Sequence, residues 1–133
     1  LVIGGLLSST LSVVRVNPMG VMFVSDHIID SLYTRFAQVD ALASFAAATR
    51  GFVLAGGSDD GLSLLEILPD GQLFHHQALA QSSGQTLTNI SAIAATVVGN
   101  EAQIFVDYAH TPDALLNVLG AIGGVEVLSI TPL

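Results

Sequence analysis

The sequence predicts an all-β protein in which antiparallel four-stranded blades form part of an incomplete β-propeller. Residues 52–74, FVLAGGSDDGLSLLEILPDGQLF, have a counterpart at residues 2–23 and a looser one at residues 105–127. The repeat period of about 52 residues lies in the range of propellers and solenoids. Each unit holds four short strands joined by Gly, Pro, Asp and Ser turns, so it must stack on neighbours to bury both faces. Another stack of β-repeats, and after it an α/β fold, are the alternatives.

The whole chain, residues 1–133, is predicted to be a single β-repeat domain, because its length suits one hydrophobic core. Residues 1–35 would form a partial blade, residues 36–86 a complete blade and residues 87–133 another. A propeller ring needs at least about four blades. We therefore expect other copies of the chain, or further blades of a longer chain, to cover the end faces. A neighbour's strand completing the first blade is a further alternative.

The first blade is predicted to lack its innermost strand. Three strands are expected from apolar or β-branched runs, at residues 1–5, at residues 11–16 and beginning at residues 21–24. Between them lie a Ser-rich turn and the turn Asn-Pro-Met-Gly, in which Pro fixes φ and Gly supplies a positive φ. The residues that follow, 25–35, are polar.

The complete blades are predicted to begin with Ala-rich strands. Residues 36–50 fit either a helix or a strand, but their apolar positions align with those of residues 87–94, where β-branched residues follow. We interpret both segments as strands. The later strands of these blades are expected within residues 52–67 and at residues 72–79, 102–109, 114–119 and 125–130, with a loop at residues 80–86. The spacing of residues 115–119 also fits a helix capped by Asp113.

The composition excludes several classes of partner. The chain has 3 Arg and no Lys against 11 acidic residues, for a net charge of −8. Nucleic acids and anionic membrane surfaces need clustered cations, so neither is an expected partner. Without cysteine there are no disulfides or thiolate metal sites. No apolar run reaches the roughly 18 residues of a membrane span, so membrane insertion is not expected.

The first residues, LVIGGLL, lack an initiator Met, and we expect a processed product, a fragment or an excerpt of a longer chain.

Asp59 and Asp60 are the candidate metal ligands. They lie in a glycine-flanked turn, where two carboxylates and free carbonyl groups can supply oxygen ligands to Ca²⁺. The alternative is an ordinary hairpin turn, because Asp and Gly are favoured there for backbone reasons alone. No other cofactor is predicted.

The remaining ionisable clusters do not predict an active site. His75 and His76 are neighbours on a strand and should point to opposite faces unless a bulge intervenes. Asp70 belongs to a structural turn. Two further sets are Asp26 with His27 and Asp30, which lacks a third zinc ligand, and Asp107 with His110 and Asp113, which has no nucleophile beside it. No catalytic residue is therefore predicted.

Six segments spread over the first 105 residues are informative when they are compared with known families. They are LSVVRVNPMG, the pair Asp26-His27, TRFAQVDALASF, GFVLAGGSDDGLSLLEILPDG, NISAIAATVVG and AQIFV. They resemble the propeller-like repeat regions of bacterial secreted calcium-binding proteins of the RTX type. The resemblance implies a secreted or surface protein with a scaffold or adhesive role linked to cations. The family's calcium turn is Gly-Gly-x-Gly-x-Asp, and here Asp59 stands in place of a Gly and Gly61 in place of the Asp. A calcium β-roll is therefore not assigned.

A second resemblance is confined to residues 105–119, FVDYAHTPDALLNVL. They are very similar to a segment of the Mur ligases, ATP-dependent enzymes that add an amino acid to a cell-wall precursor, where it lies at the entry to the C-terminal domain. A phosphate loop needs a Lys, and this chain has none. The segment also aligns with the repeat, so a junction of two coding sequences and coincidence within a repeat are both open explanations.

These observations predict a non-enzymatic, extracellular or cell-surface β-repeat scaffold for protein interaction or self-assembly, linked to calcium. Its turns at Leu6–Thr10, Ser58–Gly61 and His110–Asp113 are expected to emerge on one rim and to contact a partner or a cation. The alternative is an enzyme fragment, either a propeller hydrolase with a metal in a central channel or a segment like the C-terminal region of a Mur ligase.

Overall fold

The computed structural model describes residues 1–81, 87–99 and 101–107, together with the backbone of residues 108, 116–122 and 125–132. Within these residues the chain forms eleven β-strands and no α-helix, so the prediction of an all-β fold is confirmed for them. The strands form three antiparallel sheets, and none of the three closes on itself.

In each sheet the spatial order of the strands is their order along the chain, which makes each sheet a meander. Sheet 1 consists of β1 (Val2–Gly5), β2 (Thr10–Val16) and β3 (Met22–Ile29). Sheet 2 consists of β4 (Ala41–Ala47), β5 (Arg50–Gly56), β6 (Gly61–Ile67) and β7 (Leu73–Ala80). Sheet 3 consists of β8 (Ile90–Val98), β9 (Glu101–Tyr108), β10 (Leu116–Ile122) and β11 (Val125–Pro132).

The turns that precede β3 and β7 have the same backbone geometry. The Gly20 amide donates to the Asn17 carbonyl at 2.9 Å, and the Gly71 amide donates to the Leu68 carbonyl at 2.8 Å. The φ angles of the two glycines are 82° and 88°. A side chain would make this left-handed conformation costly, which explains why Gly occupies both positions.

The turns that precede β2 and β6 also match. Ser9 and Asp60 both adopt left-handed backbone angles, with φ of 50° and 53°. The carbonyl of Ser9 accepts a hydrogen bond from the Asp30 amide at 2.8 Å, and that of Asp60 accepts one from the Gln81 amide at 3.0 Å. Asp30 and Gln81 each follow directly after the last strand of their sheet. The repeat seen in the sequence is therefore present in the backbone of sheets 1 and 2.

Two hydrophobic clusters hold the sheets face to face, with sheet 2 in the middle. The face of sheet 2 that carries Leu54 and Leu62 packs on sheet 3, and the opposite face, which carries Ala55 and Leu65, packs on sheet 1. Sheet 3 contributes Ile90, Ala102, Ile104 and Val106, and sheet 1 contributes Leu11. Each Leu, Ile or Val side chain buried in this way contributes about 1.5 to 3 kcal/mol relative to exposure, and each Ala contributes less.

β3 continues through the polar residues that follow its predicted beginning and ends at Ile29. A bulge at Ser25 makes this possible, because Val14 pairs with Val24 whereas Val13 pairs with Asp26. The bulged Ser25 hydroxyl donates to the Gly71 carbonyl of the neighbouring sheet at 2.9 Å. Ser25 and Asp26 are thus accommodated in this strand because their side chains find backbone partners at Gly71 and Leu73 of the neighbouring sheet and its turn.

The segment at residues 36–50 is a strand only over Ala41–Ala47, and Arg50 already belongs to β5. Phe36 is fully buried ahead of the strand, and Gln38 has a positive φ of 48°, which interrupts extended pairing. The predicted strand is therefore shorter at both ends. For residues 114–119 the sequence allows either a strand or a helix. The backbone forms the strand β10, which begins at Leu116.

Candidate functional site

The predicted calcium ligands lie in the turn between β5 and β6. The Asp59 carboxylate accepts a hydrogen bond from the Ala37 amide at 3.2 Å. Burial raises the pKa of Asp59, and the negative charge of Asp30 raises it further. Asp60 occupies the left-handed turn position and uses its carbonyl to fix Gln81. Both residues thus help to position the backbone of neighbouring segments, Asp59 at Ala37 and Asp60 at Gln81.

Across the parts of the chain that the structure describes, no group of three or more His, Asp or Glu side chains is placed to hold a metal ion. Asp30 instead accepts from the Thr34 hydroxyl at 2.7 Å and from the Phe36 amide at 3.0 Å, so it orders the loop after β3. Calcium binding at Asp59 and Asp60 stays a prediction.

The other predicted clusters are separated by the fold. The Asp26 carboxylate accepts from the Leu73 amide of sheet 2 at 2.7 Å, whereas the His27 ring shares a 2.8 Å hydrogen bond with Ser12. Asp70 accepts from the Gln72 amide at 3.0 Å within its turn. Asp26 thus connects sheet 1 to sheet 2, His27 connects two strands of sheet 1, and Asp70 stabilises its own turn.

Asp107 lies at the exposed end of β9, and His110 and Asp113 fall outside the described residues. The distances among Asp107, His110 and Asp113 are therefore not described. The turn predicted at residues 110–113 also lies outside the described residues, whereas the turn predicted at residues 6–10 is described and exposes Leu7 almost completely.

His75 and His76 point to opposite faces of sheet 2. A bulge between Leu64 and Leu65 makes His75 the partner of Leu65, so His75 belongs to the face toward sheet 1. Its Nε2 is buried and has no hydrogen-bond partner among the described residues, and burial lowers the pKa of this imidazole. The His76 ring instead reaches Glu66 on the other face.

Glu66 is the centre of an ion-pair network that the sequence did not reveal. Its two carboxylate oxygens accept from the Arg50 guanidinium, with Nε to Oε1 at 2.8 Å, and Oε2 lies 2.7 Å from Nε2 of His76. Aromatic rings flank this network: Arg50 lies 5.0 Å from the centre of the Phe52 ring, and the Phe74 ring packs edge-on against His76. The hydrogen bond from Arg50 lowers the pKa of Glu66 to about 2, so the network is a structural ion pair.

We expect Glu66→Gln to flatten the acid limb of the pH–stability profile. The folded-state pKa of Glu66 is depressed from 4.5 to about 2, so its contribution is complete above about pH 4.5 and is lost as the pH falls toward 2. Urea denaturation at about pH 6 and about pH 3 should show a pH-dependent loss that is roughly 1 kcal/mol smaller in the variant, since water screens the partly exposed partner. Glu101→Gln, on an exposed residue, is the matched control. An unchanged profile in Glu66→Gln would contradict the depressed pKa.

A second feature that the sequence analysis missed is the face of sheet 1 turned away from sheet 2, which we call the outer face. It carries apolar side chains that are about half to two-thirds exposed, namely Ile3, Val16, Met22, Val24 and Ile29. The signal was available, because the runs LSVVRV and VMFV are apolar at consecutive positions and so at both faces of a strand. A strand that is apolar on both faces is typical of a sheet covered on both sides.

The charged side chain of Arg15 contributes to the packing of sheet 1 on sheet 2. Arg15 donates to the Asp70 carbonyl at 2.8 Å and so joins sheet 1 to sheet 2. No residue that the structure describes belongs to a helix with the length and hydropathy of a membrane span.

Comparisons with known proteins do not identify a family. No protein-family model matches this sequence, and no curated protein matches it. The resemblances to RTX-type repeats and to a Mur ligase segment stay hypotheses drawn from the residues.

Proposed function

We propose that this chain is a non-enzymatic β-repeat scaffold that assembles with other copies of itself by stacking sheet on sheet. In its finer form the proposal treats the three sheets as blades of an incomplete propeller. The observation that carries it is the outer face of sheet 1, where Met22 and Val24 are 70% and 60% exposed. Apolar side chains grouped in this way on one face are typical of an interaction surface.

The equivalent face of sheet 2 supports a second sheet as the occupant. Met22 pairs with Val16 in sheet 1 as Leu73 pairs with Ile67 in sheet 2. Leu73 packs into the cluster formed with sheet 1, so this repeat position is covered by another sheet wherever one is present. The same positions of sheet 1 would be covered in the same way by a neighbouring copy.

The opposite end of the stack offers the complementary surface. On the side of sheet 3 turned away from sheet 2, β8 presents the small exposed side chains of Ala92, Ala94 and Thr96. A copy that adds this side to the outer face of sheet 1 repeats the order of sheets within the chain. Such a head-to-tail contact generates a ring if the rotation closes and a filament if it does not.

The extracellular location enters the proposal through the RTX resemblance, and the link to calcium enters through that resemblance and through the two carboxylates of the turn between β5 and β6. Asp59 and Asp60 are the residues through which calcium would act. Calcium is therefore included as a variable in the test of assembly.

The test is the mass in solution by light scattering over a range of concentrations, with Ca²⁺ and with a chelator. The wild-type chain is expected to give a multiple of 13.7 kDa. Val24→Glu should raise the dissociation concentration by about tenfold or more, because the carboxylate would have to be buried in the contact without a partner. A mass of one chain at every concentration would refute assembly.

Leu32→Glu is the matched control, because it makes the same kind of change at a loop residue that is 89% exposed and lies outside the outer face. Its assembly should equal that of the wild type. Equal effects of the two variants would mean that net charge, and not the outer face, governs association. Assembly seen only with Ca²⁺, and lost in Asp59→Asn, would support the calcium link.

A further inference from the structure

We propose that the contact between sheets 1 and 2 is sensitive to acid, because protonation of the His75 imidazole weakens the packing of sheet 1 on the central sheet. This contact lies within one chain, and it involves neither of the two surfaces through which copies are proposed to stack. The inference is therefore independent of the proposed function, and either of the two can fail without the other.

His75 lies beside apolar residues on the face of sheet 2 that packs on sheet 1. Its partner in the ladder is Leu65, which is fully buried, and Leu73, two residues earlier on the same strand, packs against the same cluster. Sheet 1 contributes Leu11 and Ile28 to that cluster. The imidazole ring therefore belongs to an apolar contact between two sheets.

The equivalent position of sheet 1 holds a residue that cannot ionise. The ladders of β3 and β7 have a bulge at the same place, since Val14 pairs with Val24 as Leu65 pairs with His75. Valine has no titratable group, whereas the charge of an imidazole changes near neutral pH. His75 thus brings a titratable group to a repeat position that does not require one.

A buried nitrogen makes the charged form of His75 unfavourable. Nε2 is buried and has no hydrogen-bond partner among the described residues. Protonation turns both ring nitrogens into donors, so the charged ring presents an Nε2–H group without an acceptor. Burial accordingly lowers the pKa of His75, the Gln77 backbone opposes this effect, and the positive charge of His76 adds to it.

The charged side chains that sheet 1 turns toward sheet 2 are bound to its backbone. Asp26 of β3 accepts from the Leu73 amide at 2.7 Å, and Arg15 of β2 donates to the Asp70 carbonyl at 2.8 Å. The other ionisable residue of β3, which pairs with Ser12, belongs to the outer face. A protonated imidazole would therefore have to draw Asp26 away from the Leu73 amide to gain a counter-ion from β3.

Sheet 2 and the loop after β3 offer no better compensation. Glu66 of β6 lies on the opposite face, where it binds Arg50 and His76. Arg35 lies against Gly61 at the other end of β6 and is itself a cation. Of the described residues on β3 and β6, no acidic side chain can thus compensate the new charge without giving up another contact.

The contact between sheets 1 and 2 should therefore weaken as the pH falls below about 6.5. An opened chain takes up a proton on His75 near that pH, whereas the closed chain resists protonation until a lower pH because its pKa is lowered. One such group can shift the equilibrium toward the open form by at most about tenfold for each pH unit. This window lies above the acid range in which Glu66 is protonated.

The test introduces one cysteine into each contact, because the chain has none of its own. Ala55→Cys reports opening toward sheet 1 and Ala102→Cys opening toward sheet 3, since these alanines are 0% and 2% exposed. The rate of labelling by a neutral disulfide reagent, divided by the rate for the urea-unfolded chain at the same pH, gives the open fraction. Between about pH 7.5 and about pH 5 this fraction should rise about tenfold for Ala55→Cys and clearly less for Ala102→Cys.

His75→Leu, made in the chain that carries Ala55→Cys, separates titration from packing. The rise on acidification should be lost in this variant, whereas a merely structural role of His75 would change labelling equally at both pH values. His75→Gln repeats the comparison if His75→Leu does not fold. Equal rises at the two cysteines, or a rise that persists without His75, would overturn the proposal.

Labelling at two protein concentrations distinguishes this contact from the stacking of copies. The ratio between the open fractions at the two pH values should not depend on concentration, because sheets 1 and 2 belong to one chain. A ratio that changes with concentration would assign the acid effect to stacking and overturn the role of His75 within the chain. A chain that stays at 13.7 kDa in light scattering and still opens with acid at Ala55→Cys would refute stacking alone.

Discussion

Leu54→Ala is expected to lower the free energy of unfolding by about 2 to 5 kcal/mol. Leu54 is fully buried in β5, on the face of sheet 2 that packs on sheet 3. Removing its branched end leaves a cavity between two sheets whose backbones are fixed by their own ladders. The surrounding side chains can therefore close the space only in part.

Urea denaturation followed by circular dichroism measures this effect. Leu7→Ala makes the same chemical change at a residue that is 95% exposed, and it should stay within about 0.5 kcal/mol of the wild type. A loss in Leu54→Ala no greater than in this control would mean that sheets 2 and 3 do not pack through Leu54.

Gly57→Ala is expected to destabilise the fold by about 1 to 3 kcal/mol, because it overfills a closed site. A Cβ atom at Gly57 would lie 2.1 Å from the Ala37 carbonyl oxygen and 2.8 Å from that of Gln38. Both are backbone atoms, and the Ala37 carbonyl accepts the Ser58 amide at 2.8 Å. The segment before β4 must therefore move away from β5 to admit a methyl group.

Gly51→Ala is the matched control for this substitution. No atom lies within 4 Å of the Cβ position at Gly51, which is in the same strand as the residues that lead to Gly57. Thermal or urea denaturation should place it near the wild type or slightly above, because Ala lowers the entropy of the unfolded chain. Equal losses in the two variants would contradict the close approach at Gly57.

Much of the fold could be predicted from the sequence because the repeated turns have a stringent chemistry. Gly20 and Gly71 both have φ above 80°, a backbone conformation that favours glycine. A glycine therefore marks the same turn in both repeats of the sequence. The strands between the turns are β-branched and apolar, and their number and order were predictable from that pattern. The sheets of the described residues do not close on themselves, and the propeller stays a prediction.

The parts that could not be predicted depend on pairings between distant residues. Glu66 and Arg50 are neighbours only because β5 and β6 pair in one register, and a one-residue shift would separate them. Ser25 becomes a bulge because Gly71 of another sheet offers it a carbonyl group. The Asp59 carboxylate accepts a hydrogen bond from the Ala37 amide, which belongs to a distant segment of the chain, and its part in calcium binding stays a prediction. Local patterns contain no information on such partners.

The meander order of the strands has a kinetic consequence. Every ladder joins strands that are adjacent along the chain, so the backbone pairing of each sheet requires only the closure of short loops. Low contact order favours rapid formation of hairpins, and the slower step is then the docking of preformed sheets. Sheet 2 gains contacts from both sides at that step, whereas sheet 1 gains them from one. Opening of the native state should therefore begin at the outer sheets and reach the central sheet last.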